Sequence, residues 1–247
     1  MTRDDGFLGG RLILRQPARG YRAGADAVML AAACAARPGA RVLELGCGAG
    51  VALFCLGARV PGLALTGIER QAALAELARH NAAATGIAAR IVTQDLAARP
   101  DALRDESFDH VIANPPFFRA GPAAPDPSRA EARHEDTPLE IWIDTALRRL
   151  APGGWLTLIN RTEALDRILT ALSGRAAGVA LLPVAARVGR PADRIIVAAR
   201  KGARSPLRLL APFILHQKQA HDSDGEDLTA AARAVLRGGA EINLKLS

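Results

Sequence analysis

A five-residue apolar run, RVLEL at Arg41–Leu45, leads directly into Gly46-Cys47-Gly48-Ala49-Gly50, and a helix-compatible stretch follows to Ala58. Few backbones accommodate this order. A short run rich in aliphatics and closed by glycine reads as a buried strand. Glycines let the chain turn sharply and approach a ligand without a Cβ in the way. The helix that follows presents N–H groups with no partner inside the helix. The segment therefore predicts a strand–loop–helix unit with a binding site at the carboxyl end of the strand.

The same alternation continues downstream. Strand-like runs occupy Leu63–Ile68, Ala89–Thr93, Phe108–Ala113 and Trp155–Asn160, and helical spacing spans Gln71–Ala84, Leu139–Leu150 and Thr162–Leu172. Pro152-Gly153-Gly154 is expected to end the helix before it, and Val179–Ala186 and Arg194–Ala199 read as paired strands at a sheet edge. Repeated β–α units predict an α/β fold: a mostly parallel, seven-stranded sheet with helices on both faces. We divide the chain into an N-terminal segment (1–40) expected to cover the ligand site, a main domain (41–200) and a C-terminal extension (201–247). The loop from Ala113 to Thr137 is long and rich in proline and charge, which marks it as functional or disordered.

Composition narrows the setting. The chain has 247 residues, 49% of them hydrophobic, enough for a real core. The net charge of +7 would attract polyanions such as RNA, but lysine occurs only at 201, 218 and 245, and codon bias alone can produce such an Arg-, Ala- and Gly-rich mix. Cys34, Cys47 and Cys55 have no paired spacing, so neither a disulfide framework nor a CxxC metal site is expected. A reducing compartment fits. The start MTRDD lacks the pattern of a signal peptide, and the longest apolar run, Ala27–Ala36, is too short to span a bilayer. We expect a soluble cytoplasmic protein without metal or membrane.

The glycine spacing separates two kinds of ligand. Dinucleotide sites use G-x-G-x-x-G, whereas positions 46, 48 and 50 give G-x-G-x-G with an acidic residue, Glu44, two positions earlier. That form resembles the first motif of class I S-adenosylmethionine methyltransferases. The resemblance implies a Rossmann-like fold, S-adenosyl-L-methionine as cofactor, and Glu44, Gly46, Cys47, Gly48 and Gly50 among its contacts. Glu69 ends the second strand, where a carboxylate accepts from both ribose hydroxyls; a solvated acid at a helix start is the alternative. Arg70 is expected beside the adenine. Asp95, followed by Leu96, ends the third strand; in the family an Asp here accepts from the cofactor's amino group, and a plain turn residue is the other reading.

After the fourth strand comes Asn114-Pro115-Pro116-Phe117-Phe118. An exocyclic or amide NH2 is a poor nucleophile because its lone pair is delocalised. Two acceptors aimed at its N–H bonds favour a more tetrahedral nitrogen. The Asn114 side-chain oxygen supplies one and the Pro115 carbonyl the other. Pro116 restricts Pro115 to extended backbone and so fixes that carbonyl. Phe117 offers a flat face for stacking a base, worth ~1–3 kcal/mol. The stretch resembles the [D/N]-P-P-[Y/F] motif of amino-methyltransferases, with Phe117 in place of the commoner Tyr. The resemblance assigns Asn114 to cofactor contact as well.

Two further segments narrow the family. Ala132-Arg133-His134-Glu135 and Gly20–Leu30, which holds Gly24 and Asp26, resemble bacterial methyltransferases acting on N6 of adenine-37 in a valine tRNA. The comparison implies that Asp26 and its neighbours close over the methionine end of the cofactor and that Phe117, Phe118, Arg133 and His134 meet the substrate, a tRNA. From Arg187 to Arg208 seven basic residues face one acid, Asp193: a phosphate-tracking patch or a strand edge protected by charge. The alternatives are a protein glutamine N5-methyltransferase, an rRNA guanine-N2 methyltransferase, an NAD-binding dehydrogenase, which the glycine spacing disfavours, and an RNA-binding module without catalysis.

Overall fold

The apolar runs do become strands, and their order in space sets where the site lies. The computed structural model describes residues 1–20, 22–98, 101–116, 137–217 and 227–244. An antiparallel hairpin, β1 (Thr2–Phe7) and β2 (Leu12–Pro17), precedes α1 (Ala25–Ala33). Then follow β3 (Arg41–Leu45), α2 (Val51–Arg59), β4 (Ala64–Glu69), α3 (Ala72–Thr85), β5 (Ala89–Thr93) and β6 (Phe108–Ala113). Beyond the loop come α4 (Leu139–Arg149), β7 (Leu150–Arg161), α5 (Leu165–Leu172), β8 (Ala176–Ala185) and β9 (Ala192–Lys201). Two-residue strands β10 (Arg208–Leu209) and β11 (Phe213–Ile214) and helix α6 (Ala230–Leu236) complete the described chain.

The main sheet runs β10-β8-β9-β7-β6-β3-β4-β5, with β11 also on β8. Strands β3 to β7 are mutually parallel, and β9 is antiparallel to both β7 and β8. The seven expected strands are β3 to β9. The structure adds β10 and β11, which pair for two residues each and carry too little pattern to be read from sequence. Pro152-Gly153-Gly154 does not separate a helix from a later strand. β7 begins at Leu150 and runs through them, with a register irregularity opposite Phe108 and His110 that absorbs the proline.

Alternation along each strand feeds two cores. On β3, Val42 joins α1, α2 and the inner face of α3, whereas Leu43 and Leu45 join α4 and α5. Period-two alternation therefore puts Glu44 on the α1–α2–α3 side. Phe7, Leu8, Val235, Ile242 and Leu244 are buried in the same core as α1 and α2. Both chain ends thus share apolar contacts with the main sheet. No helix among the described residues is long and apolar enough to cross a membrane.

The register divides the Arg187–Arg208 patch. Arg194 pairs opposite Arg161 at the carboxyl end of β7, while Arg200 pairs opposite Trp155 near its start. Six residues of strand separate them by roughly 20 Å. Arg187, Arg190 and Arg194 therefore lie at the carboxyl edge of the sheet, and Arg200 and Lys201 at the other edge. A linear count of charge cannot show this, because it ignores strand direction.

Candidate active site

The carboxyl ends of β3, β4 and β6 lie side by side. Leu45 is in register with Ile68 on one flank and with Ala113 on the other. The loop that leaves β3 and the loop that leaves β6 therefore start on adjacent strands. Between them opens a cleft with about 460 Å³ of empty space, part of it open to solvent, lined by Glu44, Gly46, Cys47, Gly48, Ala49, Val51, Ala52, Leu74, Asn114 and, from the N-terminal segment, Gln16, Pro17, Ala23 and Ala27.

The glycine loop is shaped by two different demands. Gly46 has φ +62°, and a Cβ there would run into the ring of Trp142 on α4. Trp142 in turn donates its indole N–H to the Thr137 carbonyl at 3.2 Å, so one side chain ties the far end of the Asn-Pro-Pro loop to the glycine loop. Gly48 has φ +55° with open space beside it. Its backbone N–H donates to Glu69 Oε2 at 2.9 Å, and Glu69 Oε1 accepts from the Gln71 N–H at 2.8 Å. Glu69 is buried, yet an ionised carboxylate has about four lone-pair sites, so two backbone bonds leave room for two hydroxyl donors.

Glu44 is the cleft-lining acid with an unpaired oxygen. It is 4% exposed and its Oε2 has no hydrogen-bond partner among the described residues. Burial pushes its carboxyl well above the usual range; a hydrogen bond with the Leu53 backbone opposes that, and the nearby Glu69 charge adds to it. A buried acid with one unpaired oxygen at a cleft wall can take a cationic or N–H-bearing ligand. Burial likewise raises the Cys47 thiol and keeps it neutral.

The other expected residues fall as follows. Asn114 is half-buried and lines the cleft, Pro115 is buried and Pro116 exposed. Leu96 is buried; Asp95 Oδ1 accepts the Ala97 N–H at 2.8 Å, the turn bond. Arg70 is exposed beside Glu69. Gly50 caps α2 with φ 84°. Asp26 does not line the cleft: it accepts from Arg194 Nε at 2.9 Å, pinning the first turn of α1 to β9. Phe117, Phe118, Arg133 and His134 lie outside the described residues. Ala23 and Ala27 line the cleft from the segment around Asp26, while Gln16 and Pro17 sit in no motif that singles them out in the sequence. Trp142 stands behind the glycine loop, against Gly46.

Glu44, Gly48 and Glu69 fit S-adenosylmethionine as a donor set: a buried carboxyl with one unpaired oxygen, an open glycine backbone and a carboxylate with spare acceptor capacity. The parallel sheet with ligand-facing loops at its carboxyl ends defines a Rossmann-like methyltransferase class. A solved Agrobacterium tumefaciens protein described as a predicted O-methyltransferase superposes with TM-score 0.71 at 30% identity, over 88% of this chain and 98% of that one. Residues 24–180 match the methyltransferase small domain, and the chain belongs to that family. A tRNA1(Val) (adenine(37)-N6)-methyltransferase of Porphyromonas gingivalis is 36% identical over 164 residues, 63% of this chain and 64% of that protein. The stretch matched in the P. gingivalis relatives is thus under two thirds of their length. A protein of the same name from Dickeya chrysanthemi is 29% identical over 85% of this chain and 84% of its own.

Proposed function

We propose that this chain transfers a methyl group from S-adenosylmethionine to an exocyclic amino group, N6 of an adenine in tRNA, in the cytoplasm. The observation that carries the reading is the position of Asn114: it leaves β6 beside the glycine loop and lines the same cleft as Glu44, Gly46 and Gly48. Glu44 is assigned to the donor's cationic end, Glu69 to its ribose, Asp95, Leu96 and Arg70 to its adenine. When bound, the donor supplies an electrophilic methyl on a sulfonium. The chain's own part is to grip the acceptor. Asn114 Oδ1 and the Pro115 carbonyl accept from the two N–H bonds, which frees the nitrogen lone pair, and the cleft orients it toward the donor. The N–CH3 bond forms as the S–CH3 bond breaks with its pair left on sulfur, and the cationic product nitrogen gives its extra proton to water, so no general base is assigned. Phe117 and Phe118 are assigned to base stacking, and Arg133 and His134 to the RNA.

The Agrobacterium structure is described by a different acceptor, an oxygen. A neutral hydroxyl has one proton to lose and needs a base to take it; Asn114 is an acceptor of hydrogen bonds and not a base, which favours nitrogen. Mass spectrometry of nucleosides from cells with and without the gene tests the reading. We expect N6-methyladenosine to vanish from tRNA in the deletion and return on complementation. Unchanged tRNA with loss of N5-methylglutamine from a protein, or of N2-methylguanosine from rRNA, would replace the substrate.

A further inference from the structure

The β1–β2 hairpin forms one wall of the cleft through Gln16 and Pro17, yet it is a sheet of its own, unpaired with the main one. Phe7, Leu12 and Leu14 bury it in the core shared with α1 and α2, and one polar side chain bridges it to the glycine loop. Asn81, on α3, is 1% exposed. Its Nδ2 donates to the Ala49 carbonyl in the glycine loop at 2.9 Å and to the Arg15 carbonyl in β2 at 2.9 Å, and its Oδ1 accepts the Arg15 N–H at 2.8 Å. The amide thus pairs with the outer edge of β2 as a one-residue strand would, while its remaining donor holds the loop. Gln16 completes the wiring. Its Oε1 accepts the Ala23 N–H at 2.9 Å and its Nε2 donates to the Ala23 carbonyl at 3.2 Å and to Asp5 Oδ2 at 2.9 Å, so the segment leading into α1 is tied to the same strand.

We infer that Asn81 is a positioning residue for the methyl donor: it sets the distance between the glycine loop and β2, the two walls of the donor cleft. This rests on the proposed reading of the cleft as the S-adenosylmethionine site. The chemistry of the position is narrow. Asp lacks the two donors, Leu of similar size lacks every polar atom, and Gln is a methylene too long for a filled core. Asn81 does not line the cleft, so its removal loosens donor binding and leaves the transfer step alone.

The test uses the full chain with Asn81→Leu, calorimetric binding of S-adenosylmethionine, and steady-state kinetics. A Leu172→Ala variant, in the other core, serves as a stability control with a lowered Tm. Asn81→Leu is expected to raise Kd and KM for the donor by about tenfold to a hundredfold, with kcat at saturating donor within about threefold, as supporting-shell changes do. Leu172→Ala is expected to leave KM unchanged. Donor Kd and KM within about threefold of wild type in Asn81→Leu, or an equal KM rise in Leu172→Ala, overturns the inference. Where Asn81→Leu does not fold, hydrogen exchange on the wild-type chain decides: saturating donor should slow the Arg15 and Gln16 amides at least about fivefold, and unchanged exchange there overturns the inference. A wild-type chain that binds no S-adenosylmethionine overturns the reading of the cleft, and this inference with it.

Discussion

At the scale of single residues, two side chains carry opposite kinds of demand. Asn114 is proposed to act only when the acceptor nitrogen rehybridises. Asn114→Ala is therefore expected to lower kcat by at least about a hundredfold, with donor Kd within a few-fold. Single-turnover rates and calorimetry measure both, and undiminished turnover removes Asn114 from the chemistry. Burial pushes the Glu44 carboxyl well above the ordinary range. A raised acid binds its proton more tightly in the native state than unfolded. Stability of the free chain therefore falls as pH rises from the ordinary carboxylate range toward the raised value. A cationic donor favours the carboxylate, so binding should release a proton and affinity should increase with pH across that window. Calorimetry in buffers of different ionisation enthalpy should show the proton, and Glu44→Gln should abolish it; identical proton release in the variant would rule Glu44 out as its source.

At the scale of elements, the site is a meeting of loops whose spacing is set by helices. Trp142 on α4 packs on Gly46 and ties Thr137 to it, and Asn81 on α3 ties β2 to Ala49. Gly46→Ala combines left-handed strain with overpacking against the indole. It should cost about 2–5 kcal/mol in urea unfolding. A change near zero would mean that the loop can move away from Trp142 freely. The helix α3 also shows how a polar residue escapes notice. Ala75, Ala78 and Asn81 share its buried stripe, and the asparagine there is explained only by the backbone groups it meets.

At the scale of the molecule, charge must be read along strands and not along sequence. At the carboxyl edge Arg187 pairs with Asp227 at 3.4 Å and Arg194 with Asp26 at 2.9 Å. Arg190 stays exposed in the β8–β9 turn, next to a Val188 that is 82% exposed. At the opposite edge Arg200 and Lys201 donate to the Gly153 and Leu150 carbonyls. For RNA lying over the carboxyl edge, Arg190→Glu should weaken tRNA binding and flatten its log–log salt dependence by about 0.7–0.9 for each phosphate that the variant no longer neutralises. Arg204, exposed three residues beyond Lys201, follows the end of β9 at the opposite edge, and Arg204→Glu should change neither. Equal effects of the two variants would refute a carboxyl-edge footprint.

What the sequence determined by itself is the α/β architecture, the seven long strands and the two loops. Strand periodicity, glycine backbone freedom and the stiffness of Pro-Pro are local properties, and they place Glu44, Gly46, Gly48 and Asn114 on one cleft. What only the tertiary structure decided is the rest of that cleft. The hairpin β1–β2 becomes a wall by burying Phe7, Leu12 and Leu14 in the main core and by meeting Asn81 at Arg15, 66 residues away. Asp26 faces Arg194 across 168 residues, which no spacing rule conveys. Such pairings depend on which polar groups folding brings within reach of one another, and that is settled only when the elements come together.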